Sequence, residues 1–274
     1  MAGYMYNGAG NRFLIFREGD APVEVEKIVE LCSRHGTDGL MVLCGSPEEG
    51  FRMLFYNPDG SSEGLMCGNG GRCFADLAQR LGLCDKEFSF MGPDGPHHAK
   101  ILSADRDARH KLVSISMSDV ASIEDCAGIS PWGTAAVSLN TGCPHLVVVM
   151  PDDLPLKDLD IEDVAPALRR HPRFAPKGTN VDFIKVIDGQ IWVRTFEKGV
   201  EGETLACGTG IVASALAAHH LALMKRSSER LQYDLHSVND ILSVSFCAPA
   251  CPGAAYTCIV LTGPTEFEGC NLSF

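Results

Sequence analysis

The sequence predicts an α+β protein built from two similar halves. Three observations predict this fold: a repeated cysteine motif, a β-rich run before each copy, and β-branched runs along much of the remaining chain. The first copy begins at Glu63 and reads EGLMCGNGG, and the second begins at Glu203 and reads ETLACGTGI. Their cysteines, Cys67 and Cys207, lie about half of the 274-residue chain apart. A repeat at this spacing indicates two domains that arose by duplication and fusion.

Both copies of the motif have the same order of predicted elements. A β-rich run covers residues 52–56 in the first copy and 190–196 in the second, and each run is followed at once by a polar residue. These polar residues are Asn57 and Glu197. A glycine-containing loop comes next, then Cys-Gly-x-Gly, then apolar residues at helical spacing. Each half therefore reads strand, loop, helix.

The other elements follow from residue type and spacing. β-Branched runs bounded by Gly, Pro, Asn or Asp predict strands over residues 112–117, 135–139, 145–150, 181–187, 241–246 and 256–263. Apolar periodicity predicts helices over residues 22–35, 69–81, 161–170 and 209–224. We expect one half to comprise residues 1–119 plus 264–274, with Cys67, and the other half to comprise residues 120–263, with Cys207.

Composition excludes several classes of function. Hydrophobic residues make up 45% of the chain and charged residues 21%, which is typical of a soluble globular protein. The net charge of −12 argues against an electrostatic grip on nucleic acid or on anionic lipid. No apolar run reaches the roughly 20 residues of a membrane-spanning helix, and the N-terminus lacks the pattern of a secretory signal. We expect a cytoplasmic protein whose partner is a small molecule, with no nucleic acid and no membrane.

A cysteine directly before Gly-x-Gly at a helix start is well placed for chemistry. The first N–H groups of a helix lack intrahelical partners and carry partial positive charge, so they lower the pKa of a thiol from about 8.5. The glycines also let a ligand carboxylate approach those N–H groups. A single cysteine in this position is as often a buried structural residue beside a turn as a reactive one. Two matching copies favour a chemical role. Two thiols on opposite sides of one carbon suit stereoinversion, in which a thiolate removes a proton and a thiol returns one.

The motifs predict neither a cofactor nor a metal. The glycine-rich segments lack the Lys-Ser/Thr of a phosphate-binding loop and the G-x-G-x-x-G spacing of a dinucleotide site. The histidine pairs at residues 97–98 and 219–220 lack further ligands at metal spacing.

Longer segments resemble those of diaminopimelate epimerases. The matching segments, in chain order, are YNGAGNRFLIF (6–16), GTDGLMVL (36–43), NPDGSSEGLMCGNGGRCFA (57–75), NTGCPHLVVV (140–149), FAPKGTNVDFIKV (174–186) and FEKGVEGETLACGTG (196–210). The resemblance implies two pseudo-symmetric domains, each a mixed β-barrel-like sheet wrapped around a central helix. It also implies cofactor-independent interconversion of L,L- and meso-diaminopimelate for lysine and peptidoglycan precursor biosynthesis, and it allows a homodimer.

The same resemblance implies roles for individual residues. Cys67 and Cys207 match the catalytic cysteines. Polar side chains expected to recognise the substrate are Asn11, Asn57, Asn180 and Glu197. Helix-end groups expected to bind the reacting carboxylate are Gly68, Asn69, Gly208 and Thr209. Two residues expected to line the site are Cys143 and His145.

Three substitutions depart from the family pattern. Arg12 stands where Asp is usual, Cys143 replaces the Asn of the family's Gly-Asn-Pro-His, and Lys198 stands where an Arg commonly contacts the distal carboxylate. An ammonium group cannot make the planar two-pronged contact of a guanidinium. We therefore expect looser selection of the distal end of the substrate.

Two alternatives stay open at this point. A proline- or hydroxyproline-type racemase, or a broader amino-acid racemase that accepts glutamate, would share the fold and the paired cysteines. Asn57, Asn180 and Glu197 favour a substrate with a second amino-acid head, whereas proline would need a hydrophobic ring pocket. The other alternative is a non-enzymatic thiol switch with a reversible disulfide between Cys67 and Cys207, which predicts function in the oxidised form.

Overall fold

The computed structural model describes residues 2–22, 24–62, 64, 66–224, 230–251 and 253–270. The chain divides into two compact units, one of Met1–Ser116 with Thr262–Phe274 and one of Met117–Leu261. Three residues used in the sequence predictions, Val23, Glu63 and Leu65, lie outside the described residues.

The described residues form four α-helices and sixteen strands. The helices are α1 (Val25–His35), α2 (Gly68–Arg80), α3 (Ile161–Arg169) and α4 (Gly208–His220). The strands are β1 (Gly3–Gly8), β2 (Asn11–Arg17), β3 (Gly39–Ser46), β4 (Gly50–Tyr56), β5 (Glu87–Gly92), β6 (Gly95–Ile101), β7 (His110–Ser116), β8 (Ile123–Asp125), β9 (Ala136–Asn140), β10 (Pro144–Val149), β11 (Asn180–Ile187), β12 (Gln190–Glu197), β13 (Gly202–Thr204), β14 (Arg230–His236), β15 (Ile241–Cys247) and β16 (Thr257–Cys270).

The first unit is a closed barrel around α2. Its strands follow one another from β1 to β7, and β16 closes the barrel by pairing with both β7 and β1. The pairs β2–β3 and β4–β5 are parallel, while β1–β2, β3–β4, β5–β6 and β6–β7 are antiparallel. Residues 68–79 of α2 are all buried inside this barrel. The helix α1 packs outside, with Ile28, Leu31 and Cys32 in a core shared with the first strands.

The second unit wraps a sheet of similar strand order around α4. Its strands are ordered β15, β14, β12, β11, β10, β9 and β8, and β13 adds to β12. The pairs β10–β11 and β12–β14 are parallel, as the matching pairs β2–β3 and β4–β5 are in the first unit. Residues 208–219 of α4 are all buried, and α3 packs outside through Ile161, Ala165 and Leu168. The predicted α+β class with two pseudo-symmetric domains is therefore confirmed.

The predicted helix over residues 209–224 is too long, because α4 ends at His220. Ala222 adopts a left-handed backbone with φ of +54°, and Leu223 N donates to Ala218 O. The first unit ends α2 in the same way, with Gly82 at the left-handed position and a bond from Leu83 N to Ala78 O. Glycine usually marks this kind of helix end. Since the second unit has alanine there, the sequence carries no such mark.

The strand predictions also miss part of the sheet. The predicted strand over residues 256–263 is too short, because β16 continues through Pro264 to Cys270. The Gly263-Pro264 pair usually ends a strand. The strands that were not predicted are β1, β2, β3, β5, β6, β8, β13 and β14. The longest described helices have 13 residues, and none of the described helices is a candidate to span a bilayer.

Candidate active site

Each unit places one cysteine of the repeated motif directly before its central helix. Cys67 precedes α2 and Cys207 precedes α4, and both have an extended backbone. Gly71 N donates to Cys67 O and Ile211 N donates to Cys207 O, each at 2.8 Å. The N–H groups before these two lie in the first turn, where they lack intrahelical partners and the helix carries partial positive charge. Each helix start can therefore stabilise a thiolate or a ligand carboxylate.

The first half-site is organised around Asn69, which is fully buried. Asn69 Nδ2 donates to Asn11 Oδ1 at 2.6 Å, and Asn69 Oδ1 accepts from Arg72 Nη2 at 2.9 Å. Arg72 is also fully buried, and its Nη1 donates to Gly68 O at 3.3 Å. The structure thus brings together the predicted residues Asn11, Gly68 and Asn69. It also places a guanidinium charge in the first turn of α2.

Asn57 lies in the turn that follows β4. Its backbone N–H donates to Ser61 O at 2.8 Å, its Nδ2 donates to Ser61 Oγ at 3.0 Å, and Gly60 N donates to Asn57 O at 2.9 Å. These hydrogen bonds are local to the turn. A role of Asn57 in substrate binding stays a prediction.

The second half-site is assembled by the parallel pairing of β10 with β11. In this register His145 lies opposite Asn180. Side chains two residues apart on a strand share one face, so Asp182 lies on the same face of β11 as Asn180. Cys143 lies two residues before His145, just before β10 begins at Pro144. Asn180 Nδ2 lies 3.3 Å from His145 Nε2, and His145 Nδ1 lies 2.6 Å from Asp182 Oδ2. Four polar residues thus meet beside the start of α4.

The Thr209 hydroxyl joins this cluster to the motif cysteine. Thr209 Oγ1 lies 3.4 Å from Cys207 Sγ, 3.2 Å from Cys143 Sγ and 3.0 Å from His145 Nε2. The Thr209 carbonyl accepts from Thr141 Oγ1 at 3.0 Å, which fixes the first turn of the helix. Two sulfur atoms therefore share one hydroxyl group.

The buried pair of His145 and Asp182 sets the charge state of the imidazole. Both side chains are fully buried, and Asp182 Oδ1 also accepts from Thr195 Oγ1 at 2.7 Å. Burial lowers the pKa of His145, but the Asp182 carboxylate and Cys143 outweigh it, so the pKa lies well above its usual value. A Cβ at Gly210 would lie within 3.0 Å of Asp182 Oδ1. Only glycine fits there without displacing the carboxylate.

The two sulfur atoms of the second half-site differ in acidity. Burial raises the pKa of Cys143, but the charge and hydrogen bonds of His145, with Thr209, lower it below its ordinary value overall. The pKa of Cys207 lies well above its ordinary value, first because the thiol is buried and then because Glu197, Cys143 and Asp182 carry negative charge nearby. The cysteine of the repeated motif is therefore the weaker acid of the two.

Lys198 follows β12 directly and stays next to Asn180. Its backbone N–H donates to Asn180 Oδ1 at 2.8 Å, which also orients Asn180 Nδ2 toward Cys143 Sγ at 3.3 Å. The end of β12, with Glu197 and Lys198, thus lies against Asn180 in the second half-site.

Comparison with known proteins identifies the family. The family model for diaminopimelate epimerase matches residues 137–239. A diaminopimelate epimerase of Hydrogenobaculum is 37% identical over 236 residues, which cover 80% of this chain and 82% of that protein. One of Flavobacterium psychrophilum is 32% identical over 271 residues, which cover 96% of each chain. This chain belongs to the diaminopimelate epimerase family. The resemblance predicted from the sequence is confirmed, and the family makes the protein an isomerase of the epimerase type.

A solved structure shows the same fold beyond the epimerase family. The phenazine biosynthesis protein of the PhzF family from Bacillus anthracis aligns over 100% of this chain and 99% of its own, with a TM-score of 0.74 and 13% identity. At this identity the likeness concerns the fold. Within the described part of this epimerase, no three His, Cys, Asp or Glu side chains are grouped to hold a metal ion.

Sequence reasoning missed three residues of the half-sites. Asp182 interrupts a β-branched run and Arg72 interrupts a buried helix, and a charged residue in such a place is a signal of a buried polar contact. Gly8 gives a weaker signal. A Cβ at Gly8 would lie 2.8 Å from Asn69 O and 2.9 Å from Cys73 Sγ, so the end of β1 packs directly on the start of α2.

Proposed function

We propose that this protein interconverts L,L-diaminopimelate and meso-diaminopimelate without a cofactor, with Cys67 and Cys207 as its two acid–base groups. The observation that carries the proposal is the placement of one cysteine before the buried central helix of each repeated unit. Family membership supports the choice of substrate, because the relatives are named for it. Two groups of the same type suit a reaction that must run in both directions.

In the proposed mechanism one sulfur is a thiolate and removes the α-proton from one face of the substrate carbon. The other sulfur is a thiol and returns a proton to the opposite face, which inverts the centre. The electron pair left by the first transfer is delocalised into the α-carboxylate, whose charge the helix-start N–H groups stabilise. The residues proposed to supply these N–H groups are Gly68, Asn69, Gly208 and Thr209. Each turnover exchanges the protonation states of the two sulfurs.

We assign recognition of the second amino-acid head to the polar side chains near the helix starts. Lys198 offers a positive charge to the distal carboxylate, and Glu197 offers a negative charge to an ammonium group. The remaining proposed contacts come from Asn11, Asn57 and Asn180. A proline ring would leave these charged groups without partners, which costs binding energy.

Hydrogen–deuterium exchange at the α-carbon tests the substrate. The reduced protein is incubated in D₂O with diaminopimelate, glutamate or proline, and NMR follows loss of the α-proton signal. We expect fast exchange with diaminopimelate. Exchange with proline alone would favour the proline-type racemase. Loss of all exchange in the reduced protein, with a Cys67 to Cys207 disulfide after air oxidation, would favour the thiol switch.

Three single variants test the residues. Cys67→Ala and Cys207→Ala should each lose epimerisation, measured by chromatographic separation of the two isomers, because each removes the acid or base on one face. Cys126→Ala is the control, since Cys126 is a buried cysteine in the core of the second unit. It should retain turnover. Normal epimerisation by either of the first two variants would contradict the mechanism.

We also propose a cytoplasmic location and a homodimeric assembly. The reaction needs reduced thiols, which the cytoplasm maintains, and the cysteines of the described residues form no disulfide. Light scattering behind size exclusion tests the assembly. A dimer should give about twice the chain mass of 29.5 kDa, and a peak at 29.5 kDa would rule it out.

A further inference from the structure

The two half-sites carry opposite buried charges. In the first, the Arg72 guanidinium is held in the opening turn of α2 by Gly68 O and Asn69 Oδ1. In the second, the matching position of α4 is occupied by Val212, and the buried charge near the helix start includes the carboxylate of Asp182. A positive charge favours a thiolate and a negative charge favours a thiol. The repeated elements thus surround their two motif cysteines differently.

Three polar atoms surround the Cys143 sulfur. His145 Nε2 lies 3.2 Å from its sulfur, Asn180 Nδ2 lies 3.3 Å away, and Thr209 Oγ1 lies 3.2 Å away. The amide of Asn180 can present only its N–H₂ group to the sulfur, because its oxygen accepts from Lys198 N. The Asn180 amide therefore donates to the sulfur, the Thr209 hydroxyl can donate to it, and His145 Nε2 donates once it has taken up a proton. This set of partners matches a thiolate better than a thiol, which has a proton of its own to place.

The proton of this thiol has a defined acceptor. His145 Nδ1 lies against the Asp182 carboxylate at 2.6 Å, so Nδ1 carries a proton and Nε2 is the nitrogen that is available as a base. Transfer of the proton from Cys143 Sγ to His145 Nε2 gives a thiolate and an imidazolium, and Asp182 stabilises the imidazolium. The order of sulfur, imidazole and carboxylate is that of a nucleophile triad, in which the carboxylate fixes the tautomer.

We propose that Cys143 rests as a thiolate and acts as a positioning residue that keeps Cys207 protonated, so that Cys207 is the acid and Cys67 the base of the free enzyme. The assignment of acid and base rests on the proposed function, whereas the effect of one thiol on the other does not. Both sulfurs contact the same Thr209 hydroxyl, so they are close enough for the charge of Cys143 to oppose ionisation of Cys207.

The other charged groups around Cys207 act in the same direction. Glu197 at the end of β12 and Asp182 on β11 both raise the pKa of Cys207, after burial itself. His145 on β10 is the cation that contacts Cys143 and Asp182. Cys143 is the member that departs from the family pattern, and a Cys143→Ser substitution removes its charge by changing a single side-chain atom.

Carbon-13 NMR of protein labelled at the cysteine β-carbon tests the proposal without substrate. The β-carbon shift of each cysteine reports its ionisation, including that of buried thiols, and the Cys67→Ser, Cys143→Ser and Cys207→Ser variants assign the signals. In the wild type we expect Cys143 to ionise below the usual midpoint of about 8.5 and Cys207 to ionise above it. In Cys143→Ser the midpoint of Cys207 should fall by about one pH unit or more.

Two further variants separate charge from structure. Cys143→Asp restores a negative charge beside His145 and should keep the midpoint of Cys207 high. Cys126→Ala, in the core of the same unit, should leave that midpoint unchanged. A wild-type Cys143 that ionises above Cys207, or a Cys207 midpoint that is the same in Cys143→Ser as in the wild type, would overturn the proposal. Loss of diaminopimelate exchange with the expected titrations would instead overturn the proposed function alone.

Discussion

Gly210 shows how one residue protects the charge arrangement of the second half-site. Glycine within a helix normally costs about 1 kcal/mol relative to alanine. Here a Cβ would lie within 3.0 Å of Asp182 Oδ1 and 3.2 Å from Thr195 Oγ1. The buried carboxylate would have to leave its hydrogen bonds with Thr195 and His145.

We therefore predict that Gly210→Ala destabilises the protein by about 1–3 kcal/mol, the range of an overpacked core. Urea unfolding measures this change. Gly128→Ala is the control, because no atom lies within 4 Å of a Cβ built there. An increase in stability of Gly210→Ala, as helix propensity alone would give, would contradict the close packing against Asp182.

Lys198 is the residue with the clearest consequence for substrate choice. Arginine holds a carboxylate in one orientation through two parallel hydrogen bonds, whereas lysine is a flexible point charge. Lys198→Arg should raise the preference for diaminopimelate over glutamate by up to roughly tenfold, which corresponds to about 1.4 kcal/mol. The measurement is the ratio of kcat/KM for the two amino acids. An unchanged ratio would show that Lys198 does not select the distal end.

His97 should make the stability of the first unit depend on pH. Burial lowers the pKa of His97, but the hydrogen bonds to Asp94 and to Ser116 O raise it by more than burial lowers it. The pKa in the folded protein is therefore above 6.5. Nε2 lies 2.8 Å from Asp94 Oδ1 and Nδ1 lies 2.7 Å from Ser116 O, which suits a doubly protonated ring. A raised folded pKa stabilises the protein below the unfolded value, and this contribution is lost as pH rises through the folded value.

The test compares the thermal stability of wild type and His97→Gln from pH 5 to pH 9. The difference should be largest below about pH 6.5 and should shrink as the pH rises. His220→Gln, at an exposed position, is the control. A difference that grows with pH would contradict a protonated His97 in the folded state.

At the scale of elements, the starts of the central helices could be predicted and one end could not. Cys-Gly-x-Gly marks both starts to within one residue. The left-handed residue that ends α2 is Gly82, but the matching residue of α4 is Ala222. A left-handed backbone costs a non-glycine residue about 1 kcal/mol. Hydrogen bonds at the helix end, from Ala222 N to His219 O and from Leu223 N to Ala218 O, accompany this conformation, and residue type alone does not indicate it.

Single substitutions at these two helix ends test the strain of the left-handed backbone. Ala222→Gly should stabilise the protein by about 0.5–1 kcal/mol, because glycine adopts the left-handed backbone without strain. Gly82→Ala should destabilise it by at least as much. Urea unfolding of both variants checks the pair. A loss of stability in Ala222→Gly would mean that the flexibility of glycine in the unfolded chain outweighs the strain at this helix end.

Contacts between different elements of the half-sites could not be predicted from the sequence. The residues Cys143 and His145 were identifiable from a short motif, but Asp182 was not. Its position beside His145 depends on the parallel register of β10 and β11, in which His145 lies opposite Asn180. A single sequence gives strand positions and does not give register. The hydrogen bond from Asn69 to Asn11 could not be predicted either, because it depends on how α2 packs against β2.

At the scale of the whole molecule, the duplication could be predicted because both copies of the motif keep the same spacing. The divergence between the copies could not, since it lies in buried charges. Arg72 in one helix and Val212 in the other occupy matching positions, and Cys143 with His145 has no counterpart that the repeat predicts. We therefore propose that the motif cysteines of two similar units start each turnover in different protonation states.

The central claim is that two sulfurs act on opposite faces of one carbon, and an isotope experiment in D₂O tests it most directly. The reaction starts from L,L-diaminopimelate and is stopped after a small fraction of it has reacted, far from equilibrium. Both isomers are then separated and analysed by mass spectrometry. Because the removed proton goes to one sulfur and the added one comes from the other, we predict deuterium in the meso product and none in the recovered L,L substrate. Deuterium entering recovered L,L substrate as fast as meso product forms would indicate a single base and would contradict the account.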